Sequence, residues 1–227
     1  ERSDVVTAVS NSLKAETYEK IGTTKEIETI YNFVDEEIFK RLDPGDLKEQ
    51  FGIQPDERVI IHVSNFRKIK RLPNVVDAFF KIREHLPVKL LLVGDGPERR
   101  RINEYVKDHP FKKDILFLGK QENVNELFAI SDLKLLLSEK ESFGLVLLEA
   151  MACGVPGIGT NIGGIPEVIE HGKNGYIVEL GDIDAVAKYA LEILSDKEKL
   201  TKFREQAFAS VTERFNSEVI LKIFRYS

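Results

Sequence analysis

From Val59 onward the chain alternates short, almost wholly apolar runs with stretches whose apolar residues recur at helical spacing. The runs at 58–64, 88–93, 115–118, 133–137, 157–159 and 175–178 lack the strict alternation of a half-exposed strand. They predict strands covered on both faces. Between them the spacing predicts helices over 74–85, 98–107, 124–130, 144–152, 165–171 and 183–194, the last capped by Asp182. This succession is the signature of a doubly wound α/β domain on a parallel sheet, Rossmann-like in class. In such sheets ligands bind outside the carboxyl ends of the strands. Four irregular motifs fall there: Ser64-Asn65-Phe66-Arg67, Gly94-Asp95-Gly96-Pro97, Gly119-Lys120-Gln121 and Glu139 to Gly144.

The first 40 or so residues fit this repeat less well. Residues 4–10 read as a strand, 12–21 as a helix and 28–33 as another strand, an orphaned unit without an initial Met. The expectation is three parts: residues 1–42 as the tail of an N-terminal domain whose remainder is missing, 43–212 as the main domain, and 213–227 as a C-terminal helix. Asp43-Pro44-Gly45-Asp46 is the expected hinge. The amphipathic stretch 217–226 is expected to have packed on the missing part. Exposed strand edges at such a remnant make strand-exchanged pairing with a second copy, or another homo-oligomer, an expectation too.

The segment 138–151 carries the most chemistry. Glu141 and Glu149 bracket a Phe-Gly turn into a helix that is apolar all round except at Glu149, and an ionised carboxylate in such a place needs partners. Gly144 opens that helix with no side chain in the way, so its free amides and positive dipole end can receive a phosphate. At about 1.5 Å per residue Glu149 lies on the order of 7 Å further along, about one ribose away. A sugar, a diphosphate and a nucleoside could thus touch all three points. The plain alternative is a dipole-favouring Glu141 and a solvated Glu149.

Arg67-Lys68-Ile69-Lys70-Arg71 places four cations beside the same strand ends, where they would counter a diphosphate leaving group, or form a solvated basic loop. Position 99 is Arg, so Gly94-Asp95-Gly96 lacks the third glycine of a dinucleotide fingerprint and reads as a tight turn. Asp182-Ile183-Asp184 reads as a helix cap rather than a metal pair. Gly163-Gly164-Ile165-Pro166-Glu167 admits either close ligand approach or a simple turn into a helix. Lys134 is out of place in a covered strand and marks a domain interface or an altered position.

Composition narrows the classes. With 42% hydrophobic and 31% charged residues the chain is expected to be globular, and a net charge of −5 argues against nucleic acid as the main partner. No apolar run reaches the roughly 20 residues of a membrane span, and no signal-peptide pattern is seen, so the cytoplasm is the expected location. The single cysteine, Cys153, rules out an internal disulfide and reads as a packer. His62, His85, His109 and His171 are dispersed, and no spacing suggests a metal.

Glu141-x7-Glu149 within ESFGLVLLEAMACGVP, together with GDGPE, FLG, GGIPE and the upstream YNFVDEEIF, resembles the retaining glycosyltransferases of family 4 across nearly the whole chain. That resemblance implies the C-terminal, donor-binding half of a GT-B fold with a remnant of the acceptor-binding half. Within the family, HVSNFRKIKR and SEKESFGLVLLEAMACGVP are similar to the bacillithiol-pathway members that transfer N-acetylglucosamine from UDP-N-acetylglucosamine to L-malate. It implies Lys70 at the diphosphate, with Arg67 standing in for an arginine replaced by Asn65. Ser64 and Asn65 would line the donor and Glu141 would bind the transferred sugar. Phe143, Gly144 and Leu145 would present backbone to the diphosphate, Glu149 would hold the ribose and Gln121 the base. Gly157 departs from the expected Cys or Val, which bears on strand packing. The UDP-sugar is a substrate, no cofactor or metal is implied, and the small acceptor would enter through the missing domain. A donor phosphate oxygen would help deprotonate the acceptor, so no protein nucleophile is needed. The fragment alone is expected to bind UDP weakly without turnover. The alternatives are a UDP-sugar 2-epimerase of the same fold and a non-catalytic UDP-binding scaffold.

Overall fold

The computed structural model describes residues 5–226, so Asp4 of the expected first strand lies outside the described residues. β1 (Val6–Ala8) and β2 (Ile27–Thr29) pair in parallel around α1 (Asn11–Ile21), forming a small sheet of their own. These strands are shorter than the sequence pattern implies. The short α2 (Leu47–Gln50) then leads into β3 (Arg58–Val63), α3 (Leu72–Arg83), β4 (Val88–Val93), α4 (Arg99–Val106), β5 (Ile115–Gly119), α5 (Val124–Ala129) and β6 (Leu133–Leu136). The second half continues through α6 (Leu145–Ala152), β7 (Gly157–Thr160), α7 (Ile165–Val168), β8 (Gly175–Val178), α8 (Ile183–Leu194), α9 (Lys197–Arg214) and α10 (Ser217–Tyr226).

The six strands β3 to β8 form one parallel sheet in the order β5-β4-β3-β6-β7-β8. The order reverses between β3 and β6, and such a reversal opens a crevice at the carboxyl ends of the two strands. Side chains alternate across the sheet. Ile60, Leu90, Leu92, Leu133 and Leu135 pack toward α3 and α8, while Val59, Ile61, Leu91 and Leu136 pack toward α5 and α6. Both faces are buried, which explains why the strands read as continuous apolar runs.

The helix α9 is absent from the sequence pattern. Its buried side is made of Leu200, Phe203, Ala207, Ser210 and Val211, where two small residues interrupt the apolar signal. Leu200 and Phe203 join the core on one face of the sheet and Ala207 and Val211 the core on the other. α3 begins two residues earlier than its pattern suggests, because Pro73 sits in its first turn, where no amide is required. α7 stops at Val168: the Asn174 side chain accepts from the Glu170 amide (2.8 Å) and donates to the Val168 carbonyl (3.3 Å). The missing side chain of Gly157 leaves room that Leu147 fills, since a Cβ there would lie 2.2 Å from Leu147 Cδ1.

Asp132 locks the opposite end of the switch point. Its carboxylate, 4% exposed, accepts from the Val59 amide (2.8 Å) and pairs with Arg204 at 2.8 Å. Arg58 approaches at 3.8 Å. Removing one partner from a buried network strands the others, so Asp132→Ala is expected to lower the unfolding free energy by about 3 kcal/mol. Urea denaturation measures this, and a loss below about 1 kcal/mol would mean that Asp132 is a surface group in effect.

Candidate functional site

The crevice is lined by two loops, one after β3 and one after β6. In the first, buried His62 donates from Nδ1 to the Leu135 carbonyl (3.1 Å), which leaves Nε2 to accept from the Ser64 hydroxyl at 2.8 Å. Burial and the neighbouring Lys134 charge hold His62 well below the ordinary histidine range, so it is neutral. Ser64 Oγ in turn accepts from the Phe66 amide (3.3 Å). His62, one of four dispersed histidines in the sequence, thus fixes the exit of β3.

Phe66 and Arg71 are the non-glycine residues of positive φ among the described residues, at 34° and 51°. They bracket the cationic loop, and strain of this kind costs about 1–3 kcal/mol per residue and persists only where the surroundings enforce it. Enforcement comes from Gly94-Asp95-Gly96. A Cβ on Gly94 would lie 1.8 Å from the Ser64 carbonyl oxygen, so only glycine allows the two backbones this close. Glu98 then donates its amide to the Phe66 carbonyl at 2.9 Å. The motif is more than a tight turn: it braces the cationic loop.

Across the crevice Lys70 Nζ meets Glu141 Oε2 at 2.7 Å, with both side chains mostly buried. Arg71 pairs with Glu139 at 3.3 Å, and the Glu139 amide donates to the Ile69 carbonyl (2.9 Å). The structure thus joins two residues that the sequence assigned to separate points on a ligand. Asn65 and Arg67 are exposed on the rim, and no carboxylate among the described residues pairs with Arg67. Gln121 stays apart from this cluster beyond the edge strand β5, donating from Nε2 to the Leu118 carbonyl (2.7 Å).

Gly144 caps α6, and Leu147 and Leu148 are the first amides to bond back to its carbonyl, at 2.8 and 3.3 Å. The amides before them have no intrahelical partner. Phe143 is buried, stacked on Tyr31 at 5.6 Å and edge-on to Phe215 at 5.8 Å, so only its backbone faces the crevice. Although its sequence is apolar all round except at Glu149, α6 is not buried along its whole length: Leu145 in the first turn is 40% exposed and Glu149 in the second is half-buried.

Two buried polar groups under the crevice were not recognised from the sequence as part of it. Lys134 is fully buried on the β6 face that looks toward α6, and among the described residues its ammonium makes one long contact, 3.5 Å to the Val63 carbonyl. Burial pushes it down to about 7, partly offset by the Glu149 and Glu141 charges. Burial raises Glu149, while Lys134 pulls it back. The Ser138 hydroxyl at the end of β6 is buried with no hydrogen-bond partner among the described residues. Cys153 is a packer in this setting, its thiol pushed up to about 12 by burial.

The β6 loop is anchored from its outer side. A Cβ on Gly163, whose φ is +56°, would lie 1.7 Å from the Glu141 carbonyl oxygen. Ser10 donates its hydroxyl to the Ser142 carbonyl (2.6 Å). Glu167 accepts from the Asn11 and Ser12 amides, both at 2.9 Å, and from the Tyr31 hydroxyl at 3.0 Å. The GGIPE segment therefore clamps α1 and the segment after β2 onto the loop that carries Glu141.

The profile of the family described as glycosyl transferases group 1 matches residues 45–210. N-acetyl-alpha-D-glucosaminyl L-malate synthase of Bacillus anthracis is 56% identical over 221 residues, covering 97% of this chain and 58% of that protein. An uncharacterized glycosyltransferase of Methanocaldococcus jannaschii, MJ1607, is 29% identical over 198 residues, covering 84% of this chain and 51% of its own length. The chain thus spans little more than half the length of these curated relatives. Among solved structures, Anabaena Alr3699/HepE in complex with UDP and glucose superposes with a TM-score of 0.91 at 26% identity, covering 99% of this chain and 62% of that one.

Gly163→Ala is expected to cost about 2 kcal/mol or more, through left-handed strain and overpacking against Glu141. Chemical denaturation reads it, and a neutral variant would show that the loop anchor is slack. Lys134 gives a pH prediction. Its ammonium is near 7 when folded against 10.5 when free, so the burial penalty is complete below pH 7 and is relieved as pH rises from about 7 toward 10.5. Lys134→Met should therefore melt higher than the parent at pH 6.5, with a narrower gap at pH 8.5. A constant gap would contradict the assignment.

Proposed function

The chain belongs to the group 1 glycosyl transferases, and on that footing we propose that it is the donor-binding part of a retaining enzyme. The reaction we assign is transfer of N-acetylglucosamine from UDP-N-acetylglucosamine to L-malate, a cytoplasmic step of bacillithiol biosynthesis. The observation that carries this reading is the Lys70–Glu141 ion pair at the mouth of α6, in a chain 56% identical to a malate synthase of this type. The complex of HepE with UDP and glucose supports the donor class.

In this reading the diphosphate settles on the free amides at Phe143, Gly144 and Leu145. Lys70 leaves Glu141 for the phosphates, and Glu141 is released to accept from hydroxyls of the sugar. Arg67 closes over the phosphates from the rim, Ser64 and Asn65 line the same side, and Gln121 lies against the base. Glu149 accepts from the two ribose hydroxyls. As the glycosidic bond breaks, negative charge grows on the departing UDP, where the fixed amides and cations stabilise it most. No metal is assigned to this step, and no protein nucleophile. Residues 1–42 belong with the acceptor-binding part, and closure of that part over the donor keeps water from the sugar.

Calorimetry is expected to show UDP binding to the chain, weakened at least tenfold by Glu149→Ala, about the worth of one charged hydrogen bond. Unchanged affinity in the variant would remove the ribose assignment. Mass spectrometry of the chain incubated with UDP-N-acetylglucosamine and L-malate should show no conjugate, while an enzyme extended by the acceptor-binding part should form it. Conjugate from the 227-residue chain alone would show that its acceptor site is already complete.

A further inference from the structure

The peptide group between Ser142 and Phe143 is held by a residue 132 positions away in the chain. In a trans peptide the carbonyl and the following N–H point in opposite directions, and the described residues contain no cis peptide bond. Ser10, fully buried ahead of α1, donates its hydroxyl to the Ser142 carbonyl at 2.6 Å. The same oxygen accepts from the Leu13 amide at 3.0 Å, which fixes the direction of the hydroxyl. Among the described residues nothing else donates to the Ser142 carbonyl, and the Phe143 amide at the opposite end of the peptide group has no partner. The preceding carbonyl, that of Glu141, accepts from the Gly164 amide at 3.3 Å. A Cβ on Gly164 would lie 2.5 Å from the Ser142 oxygen and 3.1 Å from the Ser10 Cβ, so it is a glycine that lets the hydroxyl reach the loop. Ser10 is kept in place by Glu167, whose carboxylate accepts from the next two amides, Asn11 and Ser12, both at 2.9 Å.

We propose that Ser10 is a positioning residue for the donor's diphosphate: its hydroxyl fixes the plane of the Ser142-Phe143 peptide and so aims the Phe143 amide into the crevice ahead of α6. The inference rests on the reading in which the diphosphate settles on the amides of Phe143, Gly144 and Leu145. A peptide whose carbonyl is unheld rotates about the flanking bonds, and a preorganised donor becomes one that must be ordered when the ligand binds. The bond to the carbonyl also polarises the peptide, which strengthens its N–H as a donor to an anion. Because Ser10 lies in the part assigned to the acceptor side, that side helps to build the phosphate cradle of the donor.

The test uses Ser10→Ala and Ser10→Gly, which remove the same hydroxyl but differ in their effect on α1, since glycine replaces a capping serine at much less cost than alanine. Affinities for UDP, and for uridine, which keeps the nucleoside and lacks the phosphates, are measured by NMR titration of the 227-residue chain, beside the melting temperature. Both variants should bind UDP about tenfold more weakly than the parent, about the worth of one charged hydrogen bond, and should bind uridine as the parent does. The loss should be the same in the two variants although Ser10→Ala melts lower. Parental UDP affinity in either variant overturns the proposal. So does equal weakening of UDP and uridine, deeper in Ser10→Ala, which is what a capping role alone would give. A parent that binds UDP no better than uridine would instead overturn the amide cradle, and this inference with it.

Discussion

The ion pair between Lys70 and Glu141 crosses the point where the sheet reverses its strand order, and the loops on either side of it are held from their outer flanks. On the β3 side, Gly94 and Glu98 press the backbone into place and His62 fixes Ser64. On the β6 side, Gly163 lies against the Glu141 carbonyl and Ser10 holds Ser142. In the function proposed for the chain, a bound donor separates the two groups of this pair. A crevice closed by an exchangeable ion pair between braced loops can admit an anionic ligand without reorganising the sheet beneath it.

Below that pair the charges follow the logic of a low-dielectric interior. His62 avoids the cost of burial by staying neutral and using both ring nitrogens. Lys134 and Glu149 cannot do so as completely, and each is displaced in the direction that disfavours its charge. Asp132 at the amino end of the same strand shows the contrasting solution: its carboxylate is satisfied by an amide and an arginine. Two residues apart at the start of one strand, Asp132 serves stability and Lys134 carries an unresolved electrostatic cost. Such a division is common where a site is maintained against the optimum of the fold.

The sheet and most of its helices were legible because strands covered on both faces leave long apolar runs, and because caps such as Asp182, which accepts from the Ala185 amide at 2.9 Å, announce where a helix begins. α9 was not legible, since Ala207 and Ser210 pack as well as larger residues but carry no apolar signal. Glu141 and the opening of α6 stood out through their local pattern. The pairing of Lys70 with Glu141 did not, because the residues are 71 positions apart and meet only when β3 and β6 become neighbours. Lys134 was visible as an oddity; its relation to Glu149 depends on the covering of β6 by α6, which no local spacing encodes.

The donor's path across this crevice is tested most directly by a crystal structure of the chain with UDP bound. The ribose hydroxyls should then lie within hydrogen-bond distance of Glu149, the diphosphate on the amides ahead of Leu147, and Lys70 should have turned from Glu141 toward the phosphates. UDP seated away from α6, or bound with the Lys70–Glu141 pair intact and the helix amides unoccupied, would contradict it.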